Sequence, residues 1–279
     1  MSPLEPATLD EKYLALLLKR IKVCKNYKPK FGKSNKDGLT VQEFTKLYHA
    51  DSFYAWFGLD NPLMYAAHKA AGGITSIYRQ IGIGCEQIFR LMLQDHLGLS
   101  NAQAKWSYET TSAGEKHTFF LDGRIELNDV KSTSKRKVLL QWLEKAATQL
   151  NIAPEIAKVL KGAVFEVRQG YKSKDSKRQN ADIANAAAAY SQGYLPVVVV
   201  LSTQIDQDIV SRYENEKWLI LQGNVNGSST TSTYVFAKEV IGYDLANFFR
   251  KNSSELKKAM NDVLQTLLAV DTQNDWAKK

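Results

Sequence analysis

Residues Leu195 to Leu201 read LPVVVVL, seven consecutive positions without a polar side chain. The run is far below the roughly 18 residues of a membrane span, and it lacks the alternation of a half-solvated strand. It therefore predicts a strand whose two faces are both covered, the environment of a parallel or mixed sheet sandwiched between helices. Its surroundings agree. The strand-like AVFEVR (163–168) precedes it, followed by a basic loop and a helix over Asn180 to Ser191. Strand–helix–strand spacing of this kind implies a parallel pair joined by a right-handed crossover. WLILQG (218–223) predicts a further strand and TYVFAKE (233–239) another. The fold class expected is α/β, a mixed central sheet flanked by helices.

Upstream of that core the pattern is helical, and we expect a helical N-terminal lobe over 1–100 and an α/β core over 101–279. Thr40 followed by Glu43 has capping-box spacing. Gly72–Gly73 suggests a break, after which Ile77, Ile81, Ile88, Phe89, Met92 and Leu93 mark the buried face of a helix from Ile74 to Leu97, with Gly98 to end it. KWSYETTS and HTFFLDGRIEL read as strands with turns at Gly114 and Asp122–Gly123. Further helices are expected over Arg136–Leu150, Pro154–Leu160 and Glu255–Val270. The aromatic group Tyr48, Phe53, Tyr54, Trp56 and Phe57 is expected in the core of the lobe, and the Ser/Thr run Ser228 to Thr233 in an exposed loop.

Charge is unevenly spread. Between Lys19 and Lys36 lie eight basic residues and no acid; removing them from 37 Lys+Arg leaves 29 against 29 Asp+Glu, a balanced remainder. A cationic segment on a neutral body points to a polyanionic partner, nucleic acid before a membrane surface. The N-terminus carries acids ahead of its short apolar stretch and has no small-residue cleavage pattern, so no signal peptide is expected. Two cysteines, Cys24 and Cys85, make no disulfide framework or zinc site, and the four histidines share no ligand spacing. Together these features favour a cytoplasmic protein without a membrane segment.

The chemistry-bearing pattern is acids and bases at strand ends. Asp122 leaves the hydrophobic strand FFLDGRIEL and is followed by Gly. Glu166 lies in VFEVRQGYKSKDSKRQNAD, on a strand whose neighbours should be buried, where an acid requires a partner or a cation. Arg168, Lys172, Lys174, Lys177 and Arg178 follow with only Asp175 opposing, and Asp182 falls in the first turn of the next helix. Carboxylates that hold Mg²⁺ through oxygen, beside a cation that stabilises charge on phosphorus, are the parts of metal-dependent phosphodiester cleavage.

On these residues the chain resembles the PD-(D/E)XK nucleases over roughly 80–205, particularly type II restriction endonucleases of the group that cuts around a CCGG core. The resemblance implies a restriction-endonuclease-like core and a Mg²⁺-dependent, site-specific cut in double-stranded DNA by a homodimer or higher homo-oligomer. It implies Asp122 and Glu166 as metal ligands, with Asp182 and the helix acid Glu86 (GIGCEQIFRL) joining them. It implies Arg168 at the phosphate, Lys172 near the attacking water, and Lys174, Asp175, Lys177 and Arg178 reading G·C pairs. The family's lysine is here Arg168, which stays protonated and is no general base. Asp129-Val130-Lys131 matches the motif more literally, only seven positions beyond Asp122. Glu166 is preferred because its strand leads directly into the basic loop, the helix and the core strand, and both pairs remain open at this point. The competing functions are a non-catalytic nucleic-acid-binding protein and a repair or RNA nuclease of the same fold.

Overall fold

The structure, a computed structural model, describes residues 8–31, 38–112, 115–170 and 185–269. The chain divides into two compact units, residues 1–84 with 252–279, and residues 85–251. One helix, α4 (Pro62–Leu97), contains the boundary.

The first unit is helical: α1 (Leu9–Val23), α2 (Val41–His49), α3 (Ser52–Trp56), the start of α4, and the last helix, α11 (Ser253–Leu268). Thr8 and Thr40 both form complete capping boxes, with Glu11 and Glu43 returning the bond to the cap N–H. Ile21, Cys24, Ile77, Val263 and Leu267 bury together, which joins α1, α4 and α11. Here the expected break at Gly72–Gly73 is corrected, because α4 runs through both glycines. A Cβ at Gly72 would collide with the Tyr27 ring, and one at Gly73 with the Leu267 side chain. The pair thus lets the Tyr27 ring and the Leu267 side chain approach the α4 backbone closely, at the roughly 1 kcal/mol each glycine costs a helix.

The second unit holds the sheet. β1 (Trp106–Ser112) and β2 (Glu115–Leu121) form an antiparallel hairpin. β3 (Gly123–Glu126), β4 (Gly162–Arg168), β5 (Tyr194–Val200) and β6 (Leu219–Leu221) form a four-stranded mixed sheet in that order. β3 is antiparallel to β4, and β4, β5 and β6 are mutually parallel. Helices α5 (Thr133–Gln149), α6 (Pro154–Val159), α7 (185–191), α8 (Gln207–Asn215), α9 (Thr233–Phe236) and α10 (Leu245–Lys251) complete the unit. Every residue of β4 and β5 is buried, as the apolar run demanded.

Side chains alternate across β4 and so divide between two layers. Phe165 packs on Phe89 of α4, Trp142 of α5 and Phe236 of α9, with ring centroids 5.1, 6.4 and 5.8 Å apart. Val164, with Val198 and Val200 of β5, instead packs on α7, α8 and the hairpin residues Trp106, Tyr108 and Leu121.

Three other expectations are corrected. TYVFAKE is α9 followed by a π-turn over Ala237–Ile241. Ser232 caps it by accepting from Val235 N, and the Thr233 hydroxyl is drawn to the carbonyls of Val200 and Leu221. β-Branched and aromatic bias cannot register such a cap. Thr230, Ser232 and Thr233 are buried, so the Ser/Thr run is not simply an exposed loop. Finally, Phe53, Trp56 and Phe57 are exposed, whereas the lobe's aromatic nest gathers Phe44, Tyr48, Tyr65, His68 and Phe31.

Candidate active site

Asp122 is not the reversing turn expected of Asp-Gly. Its N–H donates to the Phe165 carbonyl at 2.8 Å, while Gly123 is the register partner of the same Phe165. Two residues facing one is a β-bulge, a device that bends a strand and re-aims a side chain. It ends the β2 segment paired with β1 and begins the β3 segment paired with β4. It also explains why Leu121 packs in the α7 layer while a Cβ at Gly123 would meet Phe89 and Leu93 of α4.

The bulge carries the Asp122 carboxylate onto β4. Oδ2 accepts from the Val167 N–H at 2.8 Å, the amide between Glu166 and Arg168. Glu166 and Arg168, two positions apart, project from the same face of β4 as Val164. Both are buried, at 8% and 9% exposure, and they form an ion pair. Asp122 thus bonds to the backbone of β4 between the two residues of the Glu166–Arg168 ion pair, at the carboxyl end of the strand, the end at which parallel strands commonly present ligand sites. The chain leaves this point through Gln169 and Gly170, and an added Cβ at Gly170 would lie 3.3 Å from Ser202 Cβ just beyond β5.

Arg90 was missed by sequence reasoning. Its Nε donates to the Asp122 carbonyl at 2.9 Å, holding the bulge from the α4 side. The available signal was a lone cation within the apolar stripe Ile88, Phe89, Met92, Leu93. Glu86 is one turn before Arg90 on the same helix face. It is half-buried, beside Cys85, whose thiol burial pushes up to about 12, with the Glu86 charge adding to the shift. A thiol so held is no nucleophile at neutral pH.

Asp129 occupies the other end of β3. Its Oδ2 pairs with Arg124 Nη2 at 3.1 Å and its Oδ1 accepts from Gln103 Nε2 at 2.9 Å. Arg124 also pairs with Glu126 at 3.7 Å, and Glu126 accepts from the Tyr194 hydroxyl at 2.6 Å. The four residues of β3, at about 3.4 Å each, thus separate Asp129 from the bulge. Lys131 is exposed and precedes the Ser132 cap of α5. Asp122 reaches the strand segment that carries Glu166 and Arg168, whereas Asp129 is bonded to Arg124 and Gln103. Lys172, Lys174, Asp175, Lys177, Arg178 and Asp182 lie outside the described residues.

No protein-family model, curated protein or solved structure matches the chain. Among the described residues no group of three or more His, Cys, Asp or Glu gathers as a metal site, and no helix is long and apolar enough to cross a membrane. Asp122 and Glu166 still provide the hard oxygen donors suited to Mg²⁺, an ion that takes one or two carboxylates and keeps several waters.

Proposed function

We propose that this chain is a Mg²⁺-dependent, site-specific endonuclease acting on double-stranded DNA, of the PD-(D/E)XK type II restriction class. The observation that carries the reading is the bulge at Asp122, which lays one carboxylate between Glu166 and Arg168 on a neighbouring strand. A bulge at this point interrupts the ladder and brings a third ionisable residue to the end of a strand that already buries the Glu166–Arg168 pair, where apolar residues would fill the space more simply.

Asp122 and Glu166 would hold the ion, with Glu86 and Asp182 as the further acids. When bound, the ion polarises the scissile phosphate and lowers the pKa of a water molecule. The chain's residues do the rest. Arg168, permanently charged, offsets the charge that accumulates on phosphate oxygens, and Lys172 orients the attacking water. Lys174, Asp175, Lys177 and Arg178 read base edges, Arg bidentate on guanine and Asp accepting from cytosine N4, in a G/C-rich palindrome containing CCGG. The Lys19–Lys36 segment grips phosphates without regard to sequence.

The rival reading, nucleic-acid binding without catalysis, draws support from the Glu166–Arg168 pair, which neutralises the acid without a metal. Plasmid DNA incubated with and without Mg²⁺ separates the two. Discrete Mg²⁺-dependent fragments support the nuclease; smearing indicates a nonspecific repair-type enzyme; binding without any cut on DNA of varied sequence overturns it.

A further inference from the structure

Arg90 follows Phe89 on α4, whose ring packs on Phe165 of β4 at 5.1 Å. It is half-buried, and its Nε donates to the Asp122 carbonyl at 2.9 Å. That bond uses one of the five guanidinium donors. Among the described residues the side chain makes no other hydrogen bond and no ion pair, Glu86 one turn earlier included. Neither Nη atom is sealed from solvent.

Arg124 and Arg136 of the same unit show how the fold treats such a tether elsewhere. Arg124 Nε donates to the Gln103 carbonyl at 3.0 Å, and its Nη atoms are taken up by Glu126 and Asp129, at 3.7 and 3.1 Å. Arg136 turns Nε and Nη2 together onto the Val130 carbonyl, at 3.1 and 2.8 Å. Arg90 has the tether without the acids. A guanidinium partly withdrawn from water carries a desolvation cost that the fold does not offset with a counter-charge here. Its planar fork, fixed at Nε, matches the two free oxygens of a phosphodiester.

We propose that Arg90 is a phosphate-binding residue, its Nε anchored on the bulge and its two Nη groups holding a phosphodiester of the DNA backbone. The inference deepens the nuclease reading and rests on it for DNA as the partner. Its place follows from the strand. Glu166 and Arg168 project from the face of β4 opposite Phe165, whereas Arg90 meets the bulge from the α4 side, the side of Phe165. The two cations flank the carboxyl end of β4 from opposite layers, and Arg90 takes a phosphate adjoining the one that Arg168 faces. A contact to a neighbouring, unreacting phosphate binds substrate and transition state alike, so it acts on KM rather than on kcat.

Fluorescence anisotropy of the full chain on a labelled duplex containing CCGG, with Ca²⁺ in place of Mg²⁺ and salt varied from about 50 to 200 mM, tests the inference. Arg90→Gln retains an amide donor for the Asp122 carbonyl and loses the charge; Arg90→Lys retains the charge. Arg90→Gln should weaken binding about tenfold and reduce the slope of log affinity against log salt by about 1, the share of one phosphate, with Tm unchanged. Arg90→Lys should restore the slope. With Mg²⁺, Arg90→Gln should raise KM about tenfold and leave kcat within about twofold. A slope unchanged in Arg90→Gln, or a loss of binding shared by both variants and accompanied by a lowered Tm, overturns the inference, because a tether alone then accounts for Arg90. A slope that falls in Arg90→Gln on DNA that the wild type never cuts with Mg²⁺ contradicts the nuclease reading alone. Cutting by the wild type with an unchanged slope in Arg90→Gln contradicts this inference alone.

Discussion

The two ends of the β3–β4 pair contain the same ingredients in different states. At one end, Arg124 lies between Glu126 and Asp129, with Gln103 and Tyr194 completing the bonds of the acids. At the other, a bulge delivers Asp122 to the amide between Glu166 and Arg168, and Arg90 fixes the bulge from behind. The first cluster lies along regular pairing and needs no distortion of the strand. At the second, Asp122 joins the Glu166–Arg168 pair only because the strand departs from regular pairing, at the carboxyl end of β4. Composition alone therefore does not single out a candidate site; what sets the second cluster apart is the bend in the backbone that brings Asp122 to it.

The largest effect expected from this contrast is on cleavage. A Mg²⁺ ion contributes several kcal/mol of charge stabilisation, so Asp122→Asn and Glu166→Gln should each slow plasmid cutting about a thousandfold or more, while DNA retention in gel shifts persists. Asp129→Asn should leave the rate within about twofold; the reverse pattern would transfer the site to the Asp129 end. Next, Arg168→Met should lower kcat about a hundredfold, the cost of removing one fixed donor to developing charge, with KM little changed. Smaller still is a stability effect at the other end. Arg124→Met breaks the bonds to two carboxylates and should cost about 1–3 kcal/mol in chemical denaturation, leaving the cleavage rate of folded protein intact.

The smallest effect concerns alkaline pH. Burial first, and then the bond to Glu126, push the Tyr194 hydroxyl up to about 12. Because the folded state retains this proton above the ordinary tyrosine value near 10, stability should decline as pH rises from about 10 towards 12. Tyr194→Phe should flatten that decline, as read by thermal unfolding across the range, and a slope identical to wild type would remove Tyr194 from the account.

Much of the core was legible because burial writes itself into hydropathy: the Leu195–Leu201 run demanded a doubly covered strand, and β5 is one. The same holds for the capping box at Thr40, whose signal is local. What escaped was set by packing at a distance. Gly72–Gly73 reads as a break unless Tyr27 and Leu267 are known to press on it. TYVFAKE reads as a strand unless the carbonyls of Val200 and Leu221 are known to await Thr233. At the site, the strand placements of Asp122 and Glu166 were readable from their neighbours. Their meeting was not, because it depends on a bulge and on Arg90, thirty-two positions away from the carbonyl it holds.

Replacing Mg²⁺ with Fe²⁺ and generating hydroxyl radicals with ascorbate and peroxide marks the protein where the ion sits, and mass spectrometry locates the damage. The account predicts oxidation and chain scission around Asp122 and around Glu166–Arg168, suppressed by excess Mg²⁺ and absent in Glu166→Gln. Damage centred on Arg124–Asp129, or none that Mg²⁺ suppresses, would contradict it.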